Sequence, residues 1–191
     1  MASRERIIER LKAALRKNDV LPAPVSSSES VDLLQQLTNV LQGIGGKVVL
    51  VEKLSDVAVH LVGQFQPAGR WISIIPELDI SRLPANGDPH LLENVQLSVI
   101  RGHFAVAENG AVWVTDANMG DRALPFICEH LALVISRSEI VQTMRNAYEK
   151  IGGSAYDFGT FIAGPSKTAD IEQSLVLGAH GPKSLTLFIV S

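Results

Sequence analysis

The sequence predicts an α/β fold with a largely parallel sheet flanked by helices, and three observations carry that prediction. Short apolar, β-branched runs such as Lys47-Val48-Val49-Leu50-Val51 have the signature of buried strands. Between such runs lie stretches with apolar residues at helical spacing, for example Val31, Leu34, Leu37, Val40 and Leu41. From residue 30 onward the two patterns alternate, as strands and their crossover helices do in a parallel sheet.

The elements follow in order. Ile7, Ile8, Leu11 and Leu15 define an amphipathic helix over residues 3–17, with Ser3 at its N-cap and Arg6 where a capping box would want Glu. Residues 18–29 hold two prolines and the run Ser26-Ser27-Ser28, and read as a linker. Residues 1–29 are therefore an arm that packs on its own body or on a partner subunit, and residues 30–191 are the core of a single domain. A second helix ends at Gly43 and the Lys47–Val51 strand follows. Ser55 is placed to cap a helix through Val62, and Trp71–Ile75 is the next strand. Val99 to Val106 and Ala111 to Val114 are apolar runs separated by Glu108-Asn109-Gly110, a tight-turn signal because Asn and Gly tolerate positive φ. Leu131–Ile135 is a further buried strand, and Ser138 opens a helix to about Lys150 with Ile140, Val141, Met144 and Ala147 on one face. Phe158–Ala163 and Ser184–Val190 complete the sheet.

Composition narrows the function classes. A chain of 191 residues suits one domain, and its net charge of −3 gives no basic footprint for nucleic acid or anionic membrane. No stretch approaches the ~18 apolar residues of a membrane span. The N-terminus alternates charges rather than forming a secretory signal, so a cytoplasmic location is expected. One cysteine, Cys128, excludes an intrachain disulfide and cannot hold an iron–sulfur cluster. Its apolar setting, Leu124-Pro125-Phe126-Ile127-Cys128, marks a buried, inert thiol. The histidines at 60, 90, 103 and 130 lack ligand spacing, so the reading assigns no metal and no cofactor. A homo-oligomer stays open.

Three segments carry chemistry. Gly164-Pro165-Ser166-Lys167-Thr168-Ala169-Asp170-Ile171-Glu172 follows an apolar strand and precedes an expected helix bearing Ile171, Leu175 and Val176. A helix start offers free N–H groups to an anion, and Ser166, Lys167 and Thr168 would add donors. Equally, Ser166 caps that helix and Asp170 complements its dipole. His180, fenced in Gly178-Ala179-His180-Gly181-Pro182, sits on a tight loop before the last strand, where it serves as acid, base, ligand or plain hydrogen-bonding residue. Glu108, in Ala107-Glu108-Asn109-Gly110, puts a carboxylate on a turn fixed by a strand, which suits a nucleophile, a general base or a solvated turn residue. Asp116, Asn118, Asp121 and Arg122 add a polar loop loosened by Gly120.

Taken jointly, these segments resemble the LUD-domain family. A small residue followed by Glu-x-Gly matches Ala107–Gly110, the Gly-x-Ser-Lys/Arg-Thr-Ala-Asp-Ile-Glu block matches Gly164–Glu172, and Gly-x-His-Gly-Pro matches Gly178–Pro182. The resemblance covers roughly residues 30–190. It implies a Rossmann-like α/β sandwich similar to the CoA-transferase, ribose-phosphate isomerase and glucosamine-phosphate isomerase group. It also implies a LutC-type role in L-lactate oxidation to pyruvate beside iron–sulfur LutA- and LutB-type partners, with a small carboxylate or phosphorylated ligand. Glu108 and His180 are then the candidate catalytic pair, and Gly110, Gly164, Ser166, Lys167, Thr168 and Asp170 the ligand-binding set. The alternative is a stand-alone CoA-transferase-like or sugar-phosphate-isomerase-like enzyme with Glu108 as nucleophile or base, since family I CoA transferases place their glutamate in a Glu-Asn-Gly turn. A third reading is an interaction protein with a vestigial groove. Because ligands of parallel sheets collect beyond the strands' carboxyl ends, Glu108, Ser166, Thr168 and His180 are expected to line one cleft there, with the histidine charged.

Overall fold

The computed structural model describes residues 3–14, 32–65, 69–78, 80, 89–171 and 174–191. It divides into two units, Met1–Ser30 and Val31–Ser191. The first contains helix α1 (Ser3–Ala14), in which Ile7 and Leu11 are exposed. Residues 15–17 of the expected helix and the linker at 18–29 lie outside the described residues.

In the second unit, five parallel strands stand in the order β1 (Lys47–Val51), β11 (Ser184–Val190), β6 (His130–Ser136), β3 (Val95–Arg101) and β2 (Arg70–Ser73). In β3, β6 and β11 the apolar residues are buried on both faces because both faces are covered, while Leu50 of the edge strand β1 is exposed. One face packs Val57 and Leu61 of helix α3 (Leu54–Gln64) against Val99, Val134 and Phe188. The other meets helix α2 (Leu33–Gly43) through Leu37 and Leu41, together with a second sheet. That sheet runs β7 (Ile140–Val141), β4 (Phe104–Val106), β5 (Ala111–Thr115) and β8 (Gly159–Ile162). Its alternate residues separate cleanly, as strand geometry requires. Ala105, Val112, Val114 and Ile162 enter the shared core, while Phe104, Val106, Trp113 and Phe161 face Ala147 and Ile151 of helix α6 (Met144–Ile151). The layers are therefore helix, sheet, sheet, helix. Short helices α4 (Asp116–Met119) and α5 (Leu124–Ile127) close one side of the core with Met119 and Leu124. Strands β9 (Lys167–Ile171) and β10 (Ser174–Leu177) form a separate antiparallel hairpin. No helix among the described residues is long and apolar enough to cross a membrane.

Several expectations need correction. The Phe158–Ala163 segment does form a strand, but it joins the second sheet antiparallel to β5. Aromatic pairing explains the choice: Trp113 lies opposite Phe161 with ring centroids 4.7 Å apart, and Gly159 leaves room for the indole. No single helix runs from Ser138 to Lys150. The Ser136 hydroxyl accepts the Ser138 N–H in a short 3-10 turn, and β-branched Ile140 and Val141 then pair with Ala105 and Val106. The helix starts only at Met144, where Thr143 and Asn146 form a reciprocal capping box. Ser55 lies inside the first turn of α3, whose start is instead held by the Asp56 carboxylate accepting the Lys53 N–H at 3.0 Å. Most consequential, the residues after Gly164 build the β9–β10 hairpin, not a helix.

Candidate functional site

Two of the motif segments reach the last turn of α2 at the amino ends of the parallel strands, and the third, the His180 loop, is fastened to one of them through Ser166. That turn leads directly into β1. Gly110 (φ +73) lies so close that a Cβ there would stand 3.3 Å from Leu41 Cα. A Cβ on Gly164 (φ +70) would meet the Ile44 side chain at 3.1 Å, and one on Gly45 would meet Lys167 Nζ at 3.2 Å. Each glycine is there because the neighbouring chain leaves no space for a larger residue and the turn demands positive φ. Ser166 donates its N–H to the Pro182 carbonyl (2.9 Å) and accepts the Gly178 N–H (3.1 Å), which fastens its segment to the His180 loop. The expected carboxyl-end location is thus overturned: β8, which precedes Gly164, belongs to the other sheet, and the His180 loop leads into the amino end of β11.

With strands in place of the expected helix, Gly164–Thr168 presents no row of free helix-start N–H groups to an anion. Lys167 is exposed, and its ammonium lies against the carboxyl end of α2, where a cation complements the helix dipole. Thr168 and Asp170 lie on β9. His180 is exposed and has no hydrogen bond or ion pair to another described residue.

Glu108 is exposed on the β4–β5 turn, and its Oε2 accepts the Met144 N–H at 2.7 Å. Its own N–H donates to the Gln142 carbonyl, and the Asn109 side chain accepts the Ala111 N–H to tighten the turn. The carboxylate therefore serves the start of α6. Among the described residues no hydrogen bond or ion pair joins Glu108 to His180.

At the opposite, carboxyl edge lies a polar cluster that the sequence reading passed over. The chain leaves β3 at Arg101, turns through Gly102, and enters β4 after His103. His103 Nε2 is 2.8 Å from Thr115 Oγ1 and 3.3 Å from Asn118 Nδ2, and that Nδ2 donates to the Arg101 carbonyl at 3.0 Å. His103 is exposed as a residue, yet this inner edge is sheltered. That desolvation lowers its pKa below the ordinary histidine value, against the opposing pull of Glu139. Asp116 accepts a 3.0 Å bond from Arg122, which with the Ala117 and Phe158 backbone bonds holds its pKa low. Clefts of ≈ 330 and ≈ 480 Å³ flank His103, one walled by Trp113 and Tyr156, the other by Arg101, Ser136 and Glu139. The signal in the sequence was Arg101-Gly102-His103, polar residues breaking an apolar run. Among the described residues, no group of three or more His, Cys, Asp or Glu is positioned to hold a metal. Cys128 is buried, and desolvation pushes its thiol up to about 12.

Known proteins resemble this chain in sequence and in fold. Residues 90–190 match the LUD domain. A "Lactate utilization protein C" of Deinococcus radiodurans is 35% identical over 187 residues, covering 89% of this chain and 84% of that protein. The protein of that name in Geobacillus kaustophilus is 31% identical over 105 residues, 52% of this chain. The match spans only 44% of that Geobacillus protein's length. A crystal structure of a DUF162 family protein from Deinococcus radiodurans superposes with a TM-score of 0.64 at 19% identity, covering 88% of this chain and all of that one. At that identity the likeness speaks for the fold alone.

Proposed function

Since the chain belongs to the LUD-domain family, we propose that it serves in lactate utilisation as a LutC-type component of L-lactate oxidation to pyruvate. The observation that carries this reading is the 35% identity to the Deinococcus lactate utilization protein C across nearly nine-tenths of the chain. The oxidation removes two electrons, and a chain with one buried cysteine has no ligand set for an iron–sulfur cluster. Iron–sulfur partners of the LutA and LutB type are therefore part of the proposal. A small carboxylate or phosphorylated ligand would bind where Ser166, Lys167 and His180 gather beside the last turn of α2. Support comes from the Ser166 bonds to Pro182 and Gly178 and from the approach of Lys167 to Gly45.

The alternative of a stand-alone CoA-transferase-like enzyme draws on one observation. Glu108 has a single oxygen anchored by Met144, while Oε1 takes no hydrogen bond from a described residue. A fixed carboxylate with one free oxygen is suited to nucleophilic attack.

Deleting the gene in its host should abolish growth on L-lactate as carbon source and leave growth on pyruvate intact. Affinity purification from lactate-grown cells should recover iron–sulfur proteins. Unimpaired growth on lactate would refute the role, and growth restored by a Glu108→Gln copy would exclude the nucleophile reading.

A further inference from the structure

We propose that the cavity between His103, Trp113 and Tyr156 binds an uncharged planar heteroaromatic ring bearing a hydrogen-bond acceptor beside an N–H or amino group, the chemistry shared by nucleobases and nicotinamide. The site stands apart from the Glu108, Ser166 and His180 segments, and the proposal does not rest on the lactate role.

The Arg101 carbonyl can only accept, so the Asn118 atom 3.0 Å from it is the amide nitrogen. The same nitrogen lies 3.3 Å from His103 Nε2. Two N–H donors do not face each other, so Nε2 presents its lone pair and the ring proton sits on Nδ1. The Thr115 hydroxyl then donates to Nε2 at 2.8 Å. His103 is thereby fixed as a neutral imidazole whose Nδ1–H takes no partner among the described residues. It lines a cavity of ≈ 330 Å³, within the size range of small-molecule sites. Asp116 lines the same cavity and supplies an acceptor, its carboxylate having acceptor capacity beyond that used by Arg122 and the Ala117 and Phe158 backbone bonds. His103 and Asp116 both line this cavity, so the proposed ring would take its donor from the first and its acceptor from the second.

The remaining walls select a ring over a small acid. Phe104, Trp113 and Ile151 supply apolar surface. Tyr156 stands edge-to-face on Trp113, with centroids 5.4 Å apart at 78°, and remains 43% exposed, leaving ring surface free for stacking. Both nearby cations are already neutralised, Lys150 by Glu139 and Arg122 by Asp116, so a carboxylate gains little here. Small-molecule sites combine such walls with a few convergent polar groups.

The chain has two tryptophans, so in a Trp71→Phe background the one remaining indole lines the cavity. Titration with uridine, adenosine and nicotinamide should give saturable quenching with at least one, and L-lactate and benzoate should give none. A response confined to nicotinamide assigns a nicotinamide-type ring; a response to a nucleoside assigns a base. Tyr156→Ala should weaken binding about tenfold, the usual worth of an aromatic stacking partner. His103→Ala should weaken it several-fold. If Trp71→Phe does not fold, the ligand-dependent rise in thermal midpoint of the unaltered protein and of Tyr156→Ala reports the same comparison. Absence of saturable binding by all three rings, or binding that Tyr156→Ala leaves unchanged, would overturn the proposal.

Discussion

Glu108 Oε2 accepts the backbone N–H of Met144 at 2.7 Å, tying a hairpin turn to the first residue of a helix 36 positions further along the chain. A carboxylate there meets both an unpaired N–H and the positive end of the α6 dipole. The residue proposed above as a nucleophile is also a structural clasp, and the two duties separate experimentally.

Glu108→Ala should cost about 1 kcal/mol, the typical worth of a helix-start acceptor. In a domain of this size that lowers Tm by roughly 2–4 °C. Glu108→Gln keeps an acceptor oxygen and loses the charge, so its Tm should fall less. A Gln variant with near-normal Tm and no activity would separate a chemical role from the clasp.

Gly110→Ala should destabilise by about 1–2 kcal/mol, because the position combines positive φ with close approach to Leu41. Gly153→Ala is the control: nothing lies within 4 Å of its Cβ position and its φ is not positive. Urea midpoints for the two variants should diverge. Equal midpoints would show that the contact of the turn with α2 contributes nothing.

The Cys128 thiol, raised to about 12 by burial, should resist alkylation by iodoacetamide at pH 8 in the native protein and react promptly in denaturant. Fast native labelling, measured by intact mass, would contradict the burial of this segment.

Acid should destabilise the protein in two separate steps. Burial lowers the pKa of both His103 and His130, with Lys183 and Lys47 adding to the effect at His130 and Glu139 and Glu129 opposing it at the respective rings. The unfolded chain therefore takes up these protons first as pH falls past the ordinary value of 6.5, and stability drops from there downward. Asp116, held low chiefly by Arg122, acts later: its contribution is intact above the ordinary carboxylate value of 3.8 and is lost as pH falls through its lower folded value. Urea midpoints between pH 8 and 5 should decline below about 6.5, and His103→Gln should flatten part of that decline. A flat profile through this range would mean that neither ring is desolvated.

Strands β6 and β11 were legible because each is a short apolar run buried on both faces, and a local pattern suffices there; β1 reads the same way in sequence although Leu50 at the sheet edge is exposed. The β9–β10 hairpin was not. Ile171, Leu175 and Val176 are spaced compatibly with a helix, and only pairing between the two strands, itself irregular between Ser174 and Val176, decides against it. The same limit hid the start of α6, where Ile140 and Val141 exchange helical spacing for pairing with β4. The Glu108, Ser166 and His180 segments were found as motifs, yet what they touch was invisible: Leu41 and Met144 are distant from the Glu108 turn in sequence, and only the fold brings Pro182 to Ser166. His103 was overlooked for a related reason. Its partners Thr115 and Asn118 reach it only because β4 folds back on β5, which places Phe104 opposite Trp113.

The position of β11 also governs the timing of assembly. It lies between β1 and β6, pairing Lys47 with Thr186 and His130 with Ser184. A ribosome therefore releases β1 long before its neighbour exists, and the nascent chain carries an apolar strand with an unmatched edge for well over a hundred residues of synthesis. Contacts so far apart in sequence slow folding and lengthen exposure to aggregation. The parallel sheet closes by filling an interior gap, with a strand made long after the two it joins.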